Sequence, residues 1–164
     1  MKSQRPVRQE VEKREWTPIP VNMTAQEIEI THSKLLEVAQ GMGFMRDKLT
    51  PPQWEITKKI GVIYRAIRDA VEDIESHRNT LMQTYAVKKD GEITRNEEGG
   101  FRLLQPDYRI ADGEFMREKI QIKLPLWRWS ELEWLHGVVI QDTSVESIVL
   151  APLMHIVAES CDNE

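Results

Sequence analysis

Residues 51–85 read PPQWEITKKIGVIYRAIRDAVEDIESHRNTLMQTY, and the spacing inside this stretch predicts one long amphipathic helix. From Ile60 the large or apolar positions step through Ile60, Tyr64, Ile67, Val71, Ile74, Arg78, Leu81 and Tyr85, alternating four and three residues. That alternation is a coiled-coil seam, whose apolar face requires a helix against it. Ile56, Ile63, Ala70 and His77 form the adjoining row. Thr50 is the expected cap, with proline tolerated in the first turn. At about 1.5 Å per residue the helix would run on the order of 50 Å.

Working outward, Glu27-Ile28-Glu29-Ile30-Thr31 alternates polar and branched apolar residues and predicts a short strand. Thr31 or Ser33 can cap the helix that follows, in which Leu35, Val38, Ala39, Met42 and Met45 recur at helical spacing. Gly41 and Gly43 weaken its middle, each by about 1 kcal/mol relative to alanine, which is expected where another backbone approaches closely. The two helices make an antiparallel hairpin. The first is too short to cover the second, so the segment from about Ile74 to Tyr85 needs cover from the C-terminal part of the chain or from another subunit. Arg78 falls where the seam expects an apolar residue; it either fixes register and partner or turns its head to water at a fraying end.

Downstream, Lys88-Lys89-Asp90-Gly91 is a turn with Gly91 available for positive φ. Glu92–Arg95 and Phe101–Leu104 flank Asn96–Gly100 as a β-hairpin. A short helix is expected from Ala111 to Lys119. Ile120-Gln121-Ile122-Lys123-Leu124 is a clean strand ending at Pro125, and Val138-Val139-Ile140 a second, shorter one. Thr143 and Glu146 have capping-box spacing before a helix that Pro152 interrupts. These elements predict an α+β fold: a long helical hairpin carrying a small mixed sheet, made of the hairpin and the strands at Ile120 and Val138, with short C-terminal helices. The expected organisation is an arm over 1–23, one domain over 24–158 and a frayed tail over 159–164. Within the domain the helical hairpin occupies about 32–86 and a β/helix unit about 91–158.

The arm carries Pro6, Pro18 and Pro20 with scattered apolar residues, so it cannot build a core. Trp16, Ile19 and Val21 are expected to lie extended along a surface of this domain or of a neighbour. Three of the five tryptophans, Trp127, Trp129 and Trp134, fall within eight residues around Arg128. With Ser130 as cap, Leu132 and Leu135 face the core and the three rings cannot all do so. Two readings stand: an interface built from Trp and Arg, or rings closing one end of a small core. The candidate partner-binding residues are therefore Trp16, Arg78, Trp127, Arg128, Trp129 and Trp134.

Chemistry is sparse. The phosphate loops GxGxxG and GxxxxGK[ST] do not occur, and neither does a serine nucleophile elbow. Cys161, the single cysteine, lies in a polar end without an ordered base beside it, and it cannot build a disulfide or zinc site alone. Glu-x-x-His occurs twice, as Glu29…His32 and Glu133…His136. Neither match lies on a long helix as a carboxylate-bridged metal site demands, so no metal and no cofactor is expected. A net charge of -5 argues against nucleic-acid binding by the whole surface. The basic cluster Lys2, Arg5, Arg8, Lys13 and Arg14 is interrupted by three glutamates and reads as solvated. No apolar run approaches the roughly 20 residues that span a bilayer. No charged-then-apolar leader opens the chain, so export is not expected.

The order of features, from the helical hairpin through Tyr85 and KKDGEI to Phe101-Arg102-Leu103, Phe115 and IQIKLPL, resembles small, uncharacterised tailed-phage proteins with a helical hairpin followed by a KDEDG-type turn. The resemblance covers roughly Ile28 to Ile156. Its motifs are structural, so it carries no site residue. It implies a phage-encoded protein working in the host cytoplasm or the virion. The expectation is a non-enzymatic protein acting through protein–protein contacts, as a virion component or assembly factor, with oligomerisation through the seam. The alternative is an inhibitor of a host or anti-phage defence protein.

Overall fold

The structure, a computed structural model, describes residues 16–104, 106–139 and 151–158. Strand β1 (Ala25–Thr31) leads directly into helix α1 (His32–Lys48), and Thr31 Oγ1 caps that helix by accepting the Lys34 N–H at 3.3 Å. Leu35, Val38, Met42 and Met45 form the buried stripe of α1. Helix α2 (Trp54–Thr84) packs antiparallel to it through Ile56, Ile60, Ile63, Ile67 and Ile74. An α+β architecture on a long helical hairpin is therefore what the chain adopts.

The helix starts at Trp54 rather than Pro51, because Thr50 makes no cap and Gln53 occupies the N-cap position. The buried face also sits one row over from the seam drawn at Tyr64 and Val71. Ile56 and Ile63 are fully buried, whereas Tyr64 and Val71 are only half-buried at the edge. Gly43 meets a side chain, not a backbone: a Cβ there would lie 3.8 Å from the Tyr64 ring, an ordinary contact distance.

After α2 the chain reverses twice. Strands β2 (Lys88–Lys89) and β3 (Glu92–Ile93) pair antiparallel across Asp90 and Gly91, both at positive φ, 53° and 81°. Arg95 then bridges Phe101, and Ala86 bridges Leu103. Helix α3 (Asp107–Arg117) begins four residues before the expected start at Ala111. It lies against α1 and the far half of α2. Strand β4 (Lys119–Pro125) returns to pair antiparallel with β1, Ile28 opposite Ile122 and Ile30 opposite Ile120. One face of this pair buries Ile30, Ile122 and Leu124 against α2, and the other carries Glu27, Glu29, Gln121 and Lys123 in solvent.

The strands thus form two separate antiparallel pairs rather than one mixed sheet. Val138 does not contribute to either. It closes helix α4 (Trp129–Val138), because Leu132 and Leu135 continue a helical period that buries both. Ile140 and the Thr143…Glu146 box fall outside the described residues, as does the basic cluster from Lys2 to Arg14. A short 3-10 turn (Met154–Ile156) runs beside Trp127, which donates to the Ile156 carbonyl and accepts from the Ala158 N–H, both at 2.9 Å. Among the described residues no helix is long and apolar enough to cross a membrane.

Candidate functional site

Lys58 and Lys59 stand next to each other near the start of α2, and their surroundings are opposite. Lys59 lies three residues after Ile56 and four before Ile63, so the helix turns it onto the buried face; Lys58 points to solvent. The Lys59 side chain is 0% exposed, as is that of Glu131 in the first turn of α4. Its ammonium donates to the carbonyl oxygens of Asn22 at 2.6 Å and Leu126 at 2.7 Å and to Glu131 Oε1 at 2.7 Å. Three donors therefore meet three acceptors, which is the full capacity of an ammonium group. The Trp127 ring stands 5.1 Å from it, within cation–π range.

Glu131 is equally committed. Its Oε1 also accepts the Arg128 backbone N–H at 2.8 Å, closing the first turn of α4 three residues back. Its Oε2 accepts the Asn22 N–H at 3.3 Å. This replaces the expected Ser130 cap: the helix opens at Trp129, and Ser130 sits exposed in its first turn. Burial lowers the Lys59 pKa from its ordinary 10.5, while the hydrogen bond and charge of Glu131 oppose the shift. With no exposed surface and all three protons donated within the chain, the ammonium presents neither a lone pair nor a free proton to the outside. Its chemistry is to join four chain segments: the arm at Asn22, α2, the end of β4 and α4.

The arm over residues 16–24 is laid against this junction in extended form. Gln53 reads the backbone of Ile19 on both sides, accepting its N–H at 3.0 Å and donating to its carbonyl at 2.7 Å. Trp134 Nε1 donates to the Thr17 carbonyl at 2.9 Å, and the Trp16 ring meets the Trp134 ring edge-on at 6.0 Å. The surface that receives the arm thus belongs to the same chain.

The tryptophan cluster divides accordingly. Trp127 is 0% exposed, inside the core, and no partner can touch it. Its Nε1 has no acceptor among the described residues. Trp134 is 9% exposed, covered by the arm that carries Trp16. Only Arg128 and Trp129 remain exposed, the latter at 48%. Core and surface each take part of the segment because a helix starting at Trp129 turns Leu132 and Leu135 inward and leaves its first residue outside.

At the other end of α2, Arg78 meets Asp112 of α3 in a two-pronged pair, Nε to Oδ1 at 2.8 Å and a terminal nitrogen to Oδ2 at 3.0 Å. These bonds raise its already high pKa, against a smaller effect of burial. Next to it the Phe115 ring lies between those of His77 and His32, tilted to both, with centroids 4.2 and 4.4 Å away. His32 Nδ1 lies 2.8 Å from the Phe115 carbonyl; a carbonyl only accepts, so this nitrogen carries the proton in that bond. Arg78 is therefore engaged within the chain, and α3 supplies cover for the end of α2.

Of the two Glu-x-x-His pairs, Glu29 faces solvent beside Lys119 while His32 is buried, and Glu133 and His136 are both exposed. Among the described residues no three His, Cys, Asp or Glu side chains come together as metal ligands. A groove of about 570 Å³ runs between α1 and α2, floored by Leu36, Phe44, Tyr64 and Val71 with Glu72 and Glu75 on its rim. Gln53, Lys59 and Glu131 are the residues that sequence reasoning missed. The available signal was Lys59 itself, a charge in register with Ile56 and Ile63. No family model, no curated protein and no solved structure matches the chain.

Proposed function

We propose that this is a non-enzymatic protein that works by contact with other proteins, as a virion component or assembly factor of a tailed phage. The phage assignment rests on the resemblance over Ile28–Ile156. The contact mode is supported by the distribution of polar and apolar groups. The buried polar side chains His32, Gln53, Lys59 and Glu131 are all bonded to other parts of the chain. Large apolar side chains are meanwhile left in solvent: Trp54 is 70% exposed, Ile110 58% and Trp129 48%. Exposed tryptophan is the observation that carries the reading, since tryptophan is concentrated where interfaces hold most of their binding energy. Trp54 and Trp129, with Arg128 beside the latter, are the contact residues of this proposal; Trp16 belongs to the arm.

The test is to express the tagged chain during infection and recover particles and assembly intermediates. Association with a phage component, lost on replacing Trp54 and Trp129 together by alanine, is the expected result. A chain that stays strictly monomeric and recovers no phage component overturns the proposal. Altered growth or phage susceptibility on expression in uninfected cells, without other phage proteins, would instead support the inhibitor reading.

A further inference from the structure

The way residues 16–24 are held has the character of peptide recognition. Five hydrogen bonds fix the segment, and every one joins a side chain of the domain to the segment's backbone: Trp134 at Thr17, Gln53 twice at Ile19, and Glu131 and Lys59 at Asn22. The residues whose N–H is used, Ile19 and Asn22, are not prolines. Pro18 and Pro20 fall on either side of Ile19, where a missing N–H leaves nothing unsatisfied and a fixed φ favours the extended shape. The segment's side-chain anchors are the Trp16 ring on Trp134 and the side chains of Ile19 and Val21, which pack against the core. Beside the seated segment a cleft of about 310 Å³ has both Pro20 of the arm and Glu55 and Lys58 of α2 in its wall.

When the arm leaves, Gln53 loses both of its partners and Lys59 and Glu131 lose one each, but the centre of the receptor keeps bonds of its own. Without Asn22, Lys59 keeps Glu131 and the Leu126 carbonyl, and Glu131 keeps the Arg128 N–H. The link between arm and domain is one turn, in which Asn22 Oδ1 accepts the Thr24 N–H at 3.1 Å. Opening that turn redirects the arm while β1 stays paired from Ala25 onward.

We propose that the groove between the start of α2 and α4 is a receptor for an extended aromatic-x-Pro-x-Pro-x-Asn segment, and that a second copy of this chain supplies it by exchanging its own Trp16–Asn22 arm. A second copy offers the same backbone bonds and the same Trp16 contact, so exchange between copies changes the connection and not the contacts. This names a partner for the contact reading above and needs no phage component. In one chain the arm acts at an effective concentration on the order of 1 mM for a short tether. Exchange therefore grows with protein concentration.

The test uses the full chain with Cys161→Ser as background. One variant carries Pro20→Cys and another Glu55→Cys, both exposed and both on the wall of the same cleft. A short bis-maleimide is added after co-incubation across concentrations up to the millimolar range. The expected result is a mixed dimer that rises with concentration, exceeds either self-linked dimer, and disappears when excess peptide WTPIPVNMT, residues 16–24, competes for the groove. A single chain carrying both cysteines should close internally, reporting that the arm is seated. Internal closure with no mixed dimer at any concentration overturns exchange. Failure of both overturns the seating of the arm itself. Recovery of phage components is a separate readout, so failure of exchange is distinguishable from failure of the contact reading on which it rests.

Discussion

Both ends of α2 carry a cation paired with an acid from later in the chain, and the two pairs sit in different surroundings. Lys59 and Glu131 are 0% exposed on both sides. Arg78 and Asp112 keep 35% and 18% of their side-chain surface. The sealed pair surrenders the hydration of two ions, a cost that the bonds around it offset only in part, since burial still leaves the Lys59 pKa lowered. The open pair keeps part of its hydration and gains a two-pronged geometry that suits guanidinium and carboxylate. One end of the hairpin is therefore intolerant of change and the other adjustable.

The largest expected effect comes from breaking the sealed pair. Lys59→Met leaves Glu131 as a buried unpaired charge and should cost about 3–5 kcal/mol in urea unfolding. Replacing both members, Lys59→Met with Glu131→Leu, removes the stranded charge. It still leaves the Asn22 and Leu126 carbonyls without their donor and the Asn22 and Arg128 N–H groups without their acceptor, each such group costing about 1–3 kcal/mol. The double variant should therefore lose less than the sum of the losses of Lys59→Met and Glu131→Leu measured singly; additive losses would contradict the pairing.

Alkaline pH probes the same end. Because burial lowers the Lys59 pKa below 10.5, the unfolded chain holds that proton at pH values where the folded chain has released it. More protons are then bound in the unfolded state, so this group's contribution to stability rises with pH between its folded pKa and 10.5. The contribution is absent in Lys59→Met. The stability of the parent minus that of the variant should climb across the alkaline range; a flat or falling difference would count against it.

At the open end, Arg78→Ala should cost about 1 kcal/mol or less, as partly solvated pairs do. Asp112→Asn should cost a similar amount, and the two together less than their sum in a double-mutant cycle. The smallest effect belongs to the surface. Trp129→Ala should change stability by no more than about 0.5 kcal/mol in the same assay, so a loss of partner recovery in that variant would report binding and not folding.

The hairpin was legible because its periodicity is local. Thr31 caps as its position demands, and Leu35 through Met45 and Ile56 through Ile74 bury one face each. Strands β1 and β4 were legible for the same reason, Ile28 and Ile30 alternating like Ile120, Ile122 and Leu124. The contents of the junction were not. Gln53 stands at an N-cap and bonds Ile19 across the chain, and Lys59 meets Asn22, Leu126 and Glu131, all distant in sequence. Such pairings leave no period, since they depend on which loops converge. Val138 shows the converse: β-branched residues in a row suggest a strand, while Leu132 and Leu135 set a helical period that reaches Val138.

The pairing of β1 with β4 also has a temporal side. Ile28 is among the first residues of the fold to leave the ribosome, and its neighbour Ile122 emerges only after both long helices and α3. Until then both edges of β1 are open to pairing with other chains, and β4 closes one of them. Lys59 likewise waits for Leu126 and Glu131, with its ammonium still in water. The helical hairpin can form early from local contacts, but its closure waits for long-range ones, which slow folding well below what the helices alone would set. A chain cut before Lys119 would hold a complete hairpin with an unpaired strand at its start, and aggregation through that strand would follow from the connectivity.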